Sequence, residues 1–121
     1  MATLRIKRVY EPPEAADGYR VLVDRLWPRG LSRERAALDE WLTDVAPSPG
    51  LRTWWDHDPA RLDEFARRYR AELDGSPALG ILRQRLAEQD PVTLVFAARD
   101  VHVNHAAVLR DHVLRSDPNT R

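Results

Sequence analysis

VTLVFAA, residues 92–98, is the strongest strand signature in the chain, an apolar run interrupted only by Thr93. It is followed by the charged pair Arg99-Asp100 and then by NHAAVLRDHVL, a helix with Leu109 and Val113 facing inward. Ahead of it lie helical segments, and ahead of those lie the earlier strands. A strand that returns to a sheet through helices runs parallel to its neighbour, and the crossover is right-handed by default. The order of strands, helices, strand and helix therefore predicts a small α/β domain of three-layer type. Its sheet has three or four strands, parallel or mixed, flanked by four or five helices.

The earlier strands are read outward from there. TLRIKRVY, residues 3–10, alternates imperfectly and suits an edge, and EPPEAADG supplies prolines and an Asp-Gly turn. Residues 20–24 form a second strand, in which Val21, Leu22 and Val23 suit burial on both faces. Beyond Leu31, Ser32 is an N-cap and RERAALDEWL has helix formers, with Ala37, Leu38, Trp41, Leu42 and Val45 near helical spacing. LDEWLTDVAP also reads as a third strand, so residues 39–46 stand open between helix and strand until APSPG ends the element. A short helix over 51–55 closes at DHDP. Asp58-Pro59 and Ser76-Pro77 then each pair a cap with a first-position proline. Leu62, Phe65, Ala66, Tyr69 and Leu73 make the apolar stripe of the first of these helices, and Leu79, Leu82 and Leu86 that of the second.

Composition narrows the function classes. The 121 residues suit one domain over 1–121, and 43% apolar content excludes a disordered chain. Nineteen basic and nineteen acidic residues cancel, so any charged partner is met by a local patch. Eighteen of the basic residues are Arg, and Lys7 is the only Lys. Without cysteine there is no disulfide, thiolate nucleophile or cysteine metal site. No apolar run approaches the roughly 20 residues that span a bilayer, and no signal core precedes the first strand. A cytoplasmic protein without membrane attachment is the expectation.

Ligands of open α/β sheets sit beyond the carboxyl ends of the strands. Two such ends carry Asp24-Arg25 and Arg99-Asp100, the same chemistry in mirrored order. If the strands are parallel neighbours, these four side chains share one rim, either as a salt-bridge cluster or as a site. Trp27-Pro28 stiffens the loop, Arg29 adds a cation, and Gly30 permits a tight turn. Asn104 caps a helix whose start favours anions. Arg25, Arg29, Arg99 and that helix start point to a phosphate or carboxylate, although no Gly-rich phosphate loop accompanies them. Trp27 and Asn104 complete the binding set. In WWDHDP, His57 lies between Asp56 and Asp58, an arrangement for acid–base work, while Trp54 or Trp55 could stack on a planar ligand. His105 stands beside the rim and could move a proton. The spacing of His102, His105 and His112 matches no metal motif, and no metal or cofactor is expected.

The chain resembles the YeaO-like family, domain of unknown function 488. IKRVYEPP, DGYRVLVDRLWPRGLSRERAALDEWLTDVAPS, HDPARLDEFARRYRAEL and VTLVFAARDVHVNHAAVL follow its pattern in order over nearly the whole length. The resemblance implies an intracellular, mainly prokaryotic α/β protein of unassigned activity. A sibling branch carries cysteines near positions matching Phe96 and Asn104, and thiol chemistry is inapplicable here. Three readings follow. In the first, arginines hold an anionic, phosphate- or nucleotide-like molecule, and Asp24, Asp100, His105 or His57 transfers a proton in hydrolysis or group transfer. In the second, the protein is a non-catalytic module whose arginines, among them Arg52, Arg67 and Arg68, meet nucleic acid or protein. In the third, the tryptophans stabilise the fold or a homodimer.

Overall fold

The computed structural model describes residues 3–116. Four parallel strands, β1 (Leu4–Arg8), β2 (Tyr19–Leu22), β3 (Glu40–Trp41) and β4 (Val92–Phe96), form one sheet in the order β1-β4-β2-β3. The helices are α1 (Arg33–Ala36), α2 (Pro49–Trp55), α3 (Leu62–Asp74), α4 (Pro77–Glu88) and α5 (His105–Ser116), joined by short 3-10 turns. This is the small α/β domain that the element order predicts, with every strand pair parallel. β4 lies between β1 and β2, and all five of its residues are buried, because a central strand has no exposed face or edge.

The two faces of the sheet are covered unequally. Val21, Val23, Leu94 and Phe96 face the main core, where they join Trp55 of α2, Phe65 and Tyr69 of α3, Leu82 of α4 and Leu109 of α5. Leu22 and Val95 face the other way into a smaller cluster with Val9 and Ala36, packed under Trp27, Leu31 and Leu38. One layer is thus four substantial helices, and the opposite layer is a single helical turn with its loops.

Local signals explain most element ends. The side chains of Ser48 and Ser76 accept from Leu51 N–H and Ala78 N–H, with proline in the first turn of each helix. Asp58 caps a 3-10 turn over Pro59–Arg61, and α3 proper begins at Leu62, three residues later than the proline. Gly18 has φ +64°, and a Cβ there would stand 2.3 Å from the Pro91 carbonyl oxygen, so only glycine lets β2 begin beside β4.

Residues 39–46 prove to be a two-residue strand followed by a 3-10 turn over Thr43–Val45. Arg20 is the reason that α1 does not continue. Its buried guanidinium bonds the Ala36 oxygen at 2.8 Å and the Ala37 oxygen at 3.1 Å, taking carbonyls that a longer helix would use. Ala37 is left-handed at φ 50°, and Asp39 turns back to accept Arg20 N–H at 2.8 Å. The strands also end earlier than predicted. β4 stops at Phe96 because Ala97 N–H leaves the ladder for the Asp24 carboxylate, at 3.0 Å.

Candidate functional site

Because β2 and β4 are parallel neighbours, their carboxyl ends open on the same side. There a cavity of about 740 Å³ is bounded by Asp24 and Arg25 after β2 and by residues 97–100, Val103 and His105 after β4. Its opposite wall is Ala46 and Pro47, with Arg52, Thr53 and Trp55 of α2 and the Asp56 and His57 that follow it. The mirrored pairs Asp24-Arg25 and Arg99-Asp100 are therefore brought together, with His57 and His105 beside them.

They do not form the salt-bridge cluster that their charges would allow. Asp24 Oδ2 accepts Ala97 N–H, and Asp100 Oδ1 accepts His102 N–H at 2.8 Å and Val103 N–H at 3.0 Å. The Val103 and His102 amides hold the Asp100 carboxyl below the usual carboxylate range. Arg25 lies on the Ala46 and Pro47 carbonyls at 3.3–3.4 Å, contacts that position the guanidinium without neutralising it. Among the described residues, no carboxylate pairs with Arg25, Arg52 or Arg99.

His105, the first residue of α5, places Nε2 3.0 Å from Val23 O and 3.1 Å from Asp24 Oδ1. Both neighbours only accept, so Nε2 carries a proton and donates towards them. The bond runs to Val23 O, and the buried Asp24 Oδ1 has no hydrogen bond of its own. Across the cavity, Asp56 and His57 both have positive φ, 50° and 53°. The His57 ring lies 5.0 Å from Trp55, which stacks at 3.8 Å on Phe65.

Trp27, Arg29, Asn104 and Trp54, all singled out from sequence, lie outside the cavity wall. Trp27 donates Nε1–H to Leu31 O at 2.6 Å and meets Trp41 edge to face at 5.4 Å, on the side of the smaller core. Arg29 is exposed, and its carbonyl accepts the Tyr10 hydroxyl. Asn104 is fully buried as the cap of α5, donating to Asp100 O and accepting Ala107 N–H. Conversely, Arg52, counted from sequence with the surface arginines, is on the cavity wall. The signal was its place three residues before buried Trp55 and four before Asp56, which puts all three near one side of α2. Among the described residues, no group of histidine and acidic side chains is arranged to hold a metal ion.

Comparison with known proteins adds lineage. Residues 3–119 match the family described as the inactive DUF488-N3 subclade. An uncharacterized protein of Mycobacterium tuberculosis is 50% identical over 106 residues, 88% of this chain and 89% of that protein. The uncharacterized protein YeaO of Escherichia coli is 42% identical over 108 residues, 89% of this chain and 94% of its own. No solved structure matches this chain.

Proposed function

The chain belongs to the YeaO-like DUF488 family, within its inactive DUF488-N3 subclade, and from that premise we propose a small-molecule-binding protein whose ligand is anionic. The anionic group, a phosphate or carboxylate, is held at the carboxyl ends of the strands by Arg25, Arg52 and Arg99. The carrying observation is that three arginines without a carboxylate partner line one cavity, while Asp24 and Asp100 are engaged by backbone N–H groups. Unpaired arginines in a partly enclosed site are strong anion receptors, because each offers forked donors at fixed charge. The subclade's description as inactive favours binding over turnover.

One contact supports a second reading, acid–base chemistry: Asp24 Oδ1 lies 3.1 Å from His105 Nε2, so a carboxylate orients an imidazole at the cavity wall. Nucleic-acid binding is less well supported, since Arg67 and Arg68 already pair with Glu64. Titration calorimetry with inorganic phosphate, pyrophosphate and small carboxylates tests the first reading. Wild-type protein should bind at least one of these anions, and Arg52→Ala and Arg99→Ala should each weaken it about tenfold, the equivalent of one charge-assisted hydrogen bond. Absence of binding across the panel, or binding indifferent to both substitutions, would contradict it.

A further inference from the structure

The cavity is far larger than a phosphate ion and falls in the range of sites that enclose a whole organic ligand. The arginines account for one end of such a molecule. His57 speaks to the rest.

Phe65, Trp55 and His57 form a pile of rings in which Phe65 and Trp55 are stacked, with centroids 3.8 Å apart, and His57 is tilted by 38° to Trp55 at 5.0 Å. Phe65 and Trp55 are buried, whereas His57 is exposed and stands on the cavity wall. The pile therefore ends with an imidazole at the cavity. Among the described residues, the His57 ring makes no hydrogen bond, so polar bonding does not explain where it stands.

Its backbone fixes where the ring stands. Asp56 is left-handed because α2 ends there, and its N–H closes the helix on Arg52 O. One left-handed residue suffices for that purpose. His57 repeats the conformation, which costs free energy for any residue bearing a Cβ. The pair closes a turn, in which Asp58 N–H donates to Trp55 O at 3.0 Å and Trp55 Nε1–H donates to Asp58 O at 3.0 Å, and this turn sets the exposed imidazole on the cavity wall.

We infer that the ligand carries a flat aromatic ring that stacks on His57 as the next member of the Phe65–Trp55–His57 pile, while its anionic group lies among Arg25, Arg52 and Arg99. This rests on the anion-binding reading above and narrows it to aromatic phosphates or carboxylates.

Three phosphate monoesters separate the two claims: methyl, cyclohexyl and phenyl phosphate, titrated calorimetrically into the full chain. Cyclohexyl and phenyl groups are similar in size, but only phenyl has a π face. Phenyl phosphate should bind about tenfold more tightly than cyclohexyl phosphate, as one stacking contact provides. His57→Ala should reduce that ratio to near one. His57→Gly should do the same while raising Tm, because glycine relieves the left-handed strain. A His57 that only stabilised the fold would lower Tm in both variants and leave the ratio unchanged, which would overturn the inference. Equal affinity for phenyl and cyclohexyl phosphate, both weakened by Arg52→Ala, would also overturn it and leave the anion site standing. No binding of any of the three would overturn both.

Discussion

Asp17 shows how a polar side chain can organise this fold from within. It is almost wholly buried and accepts Arg20 Nη1 at 2.6 Å, Lys7 Nζ at 3.1 Å and Glu14 N–H at 3.0 Å, while its carbonyl accepts the Thr93 hydroxyl. Burial alone would raise its pKa, but the Glu14 amide, Lys7 and Arg20 outweigh that and hold it below the ordinary value. Removing one partner of such a network leaves the buried cation uncompensated. Asp17→Ala should therefore cost about 3 kcal/mol in urea unfolding. A loss within the scatter of surface substitutions would show that water replaces the carboxylate freely. Nothing in the local sequence marks Arg20 as this network's centre. It reads as one more strand-flanking arginine, because its partners at positions 17, 36 and 37 are met only once the 3-10 turn before β2 and the end of α1 have folded around it.

At the scale of elements, β3 is the least self-sufficient piece, a two-residue edge strand fastened mainly by side chains. Glu40 bonds Arg85 of α4 at 2.7 Å and the Tyr19 hydroxyl at 2.9 Å. The Arg85 hydrogen bond, overcoming burial and aided by Tyr19, keeps Glu40 below the usual carboxylate range. A carboxylate whose folded pKa is depressed stabilises the fold above its unfolded value, and that contribution is lost as pH falls through the folded pKa. Glu40, Asp17 and Asp100 share this direction. Stability should be level near neutrality and decline below about pH 4, with a shallower decline in Glu40→Gln. An unchanged acid slope in that variant would contradict the assignment. The helices over 62–74 and 77–88 were legible because their caps, prolines and stripes are local. Residues 39–46 were not, since their state is decided by Arg20 and by contact with β2.

Across the whole molecule, charge is balanced overall but arranged unevenly. Arg67 and Arg68 hold the Glu64 carboxyl at about 2 through hydrogen bonds, so this helical face presents paired charge. Retention on immobilised duplex DNA should accordingly be weak and show little salt dependence; a steep slope of log affinity against log salt would favour a nucleic-acid partner. The cavity is the contrary case, with cations unpaired. Its location was legible in sequence from the two mirrored pairs at strand ends, and the third arginine was not, because only the crossing of α2 brings residue 52 there.

The measurement that bears most directly on this arrangement is a crystal structure of the protein grown with inorganic phosphate. An anion should lie within hydrogen-bonding distance of at least two of Arg25, Arg52 and Arg99, with Asp24 still on the Ala97 amide. An anion-free cavity with those guanidinium groups folded onto Asp24, Asp56 or Asp100 would contradict it.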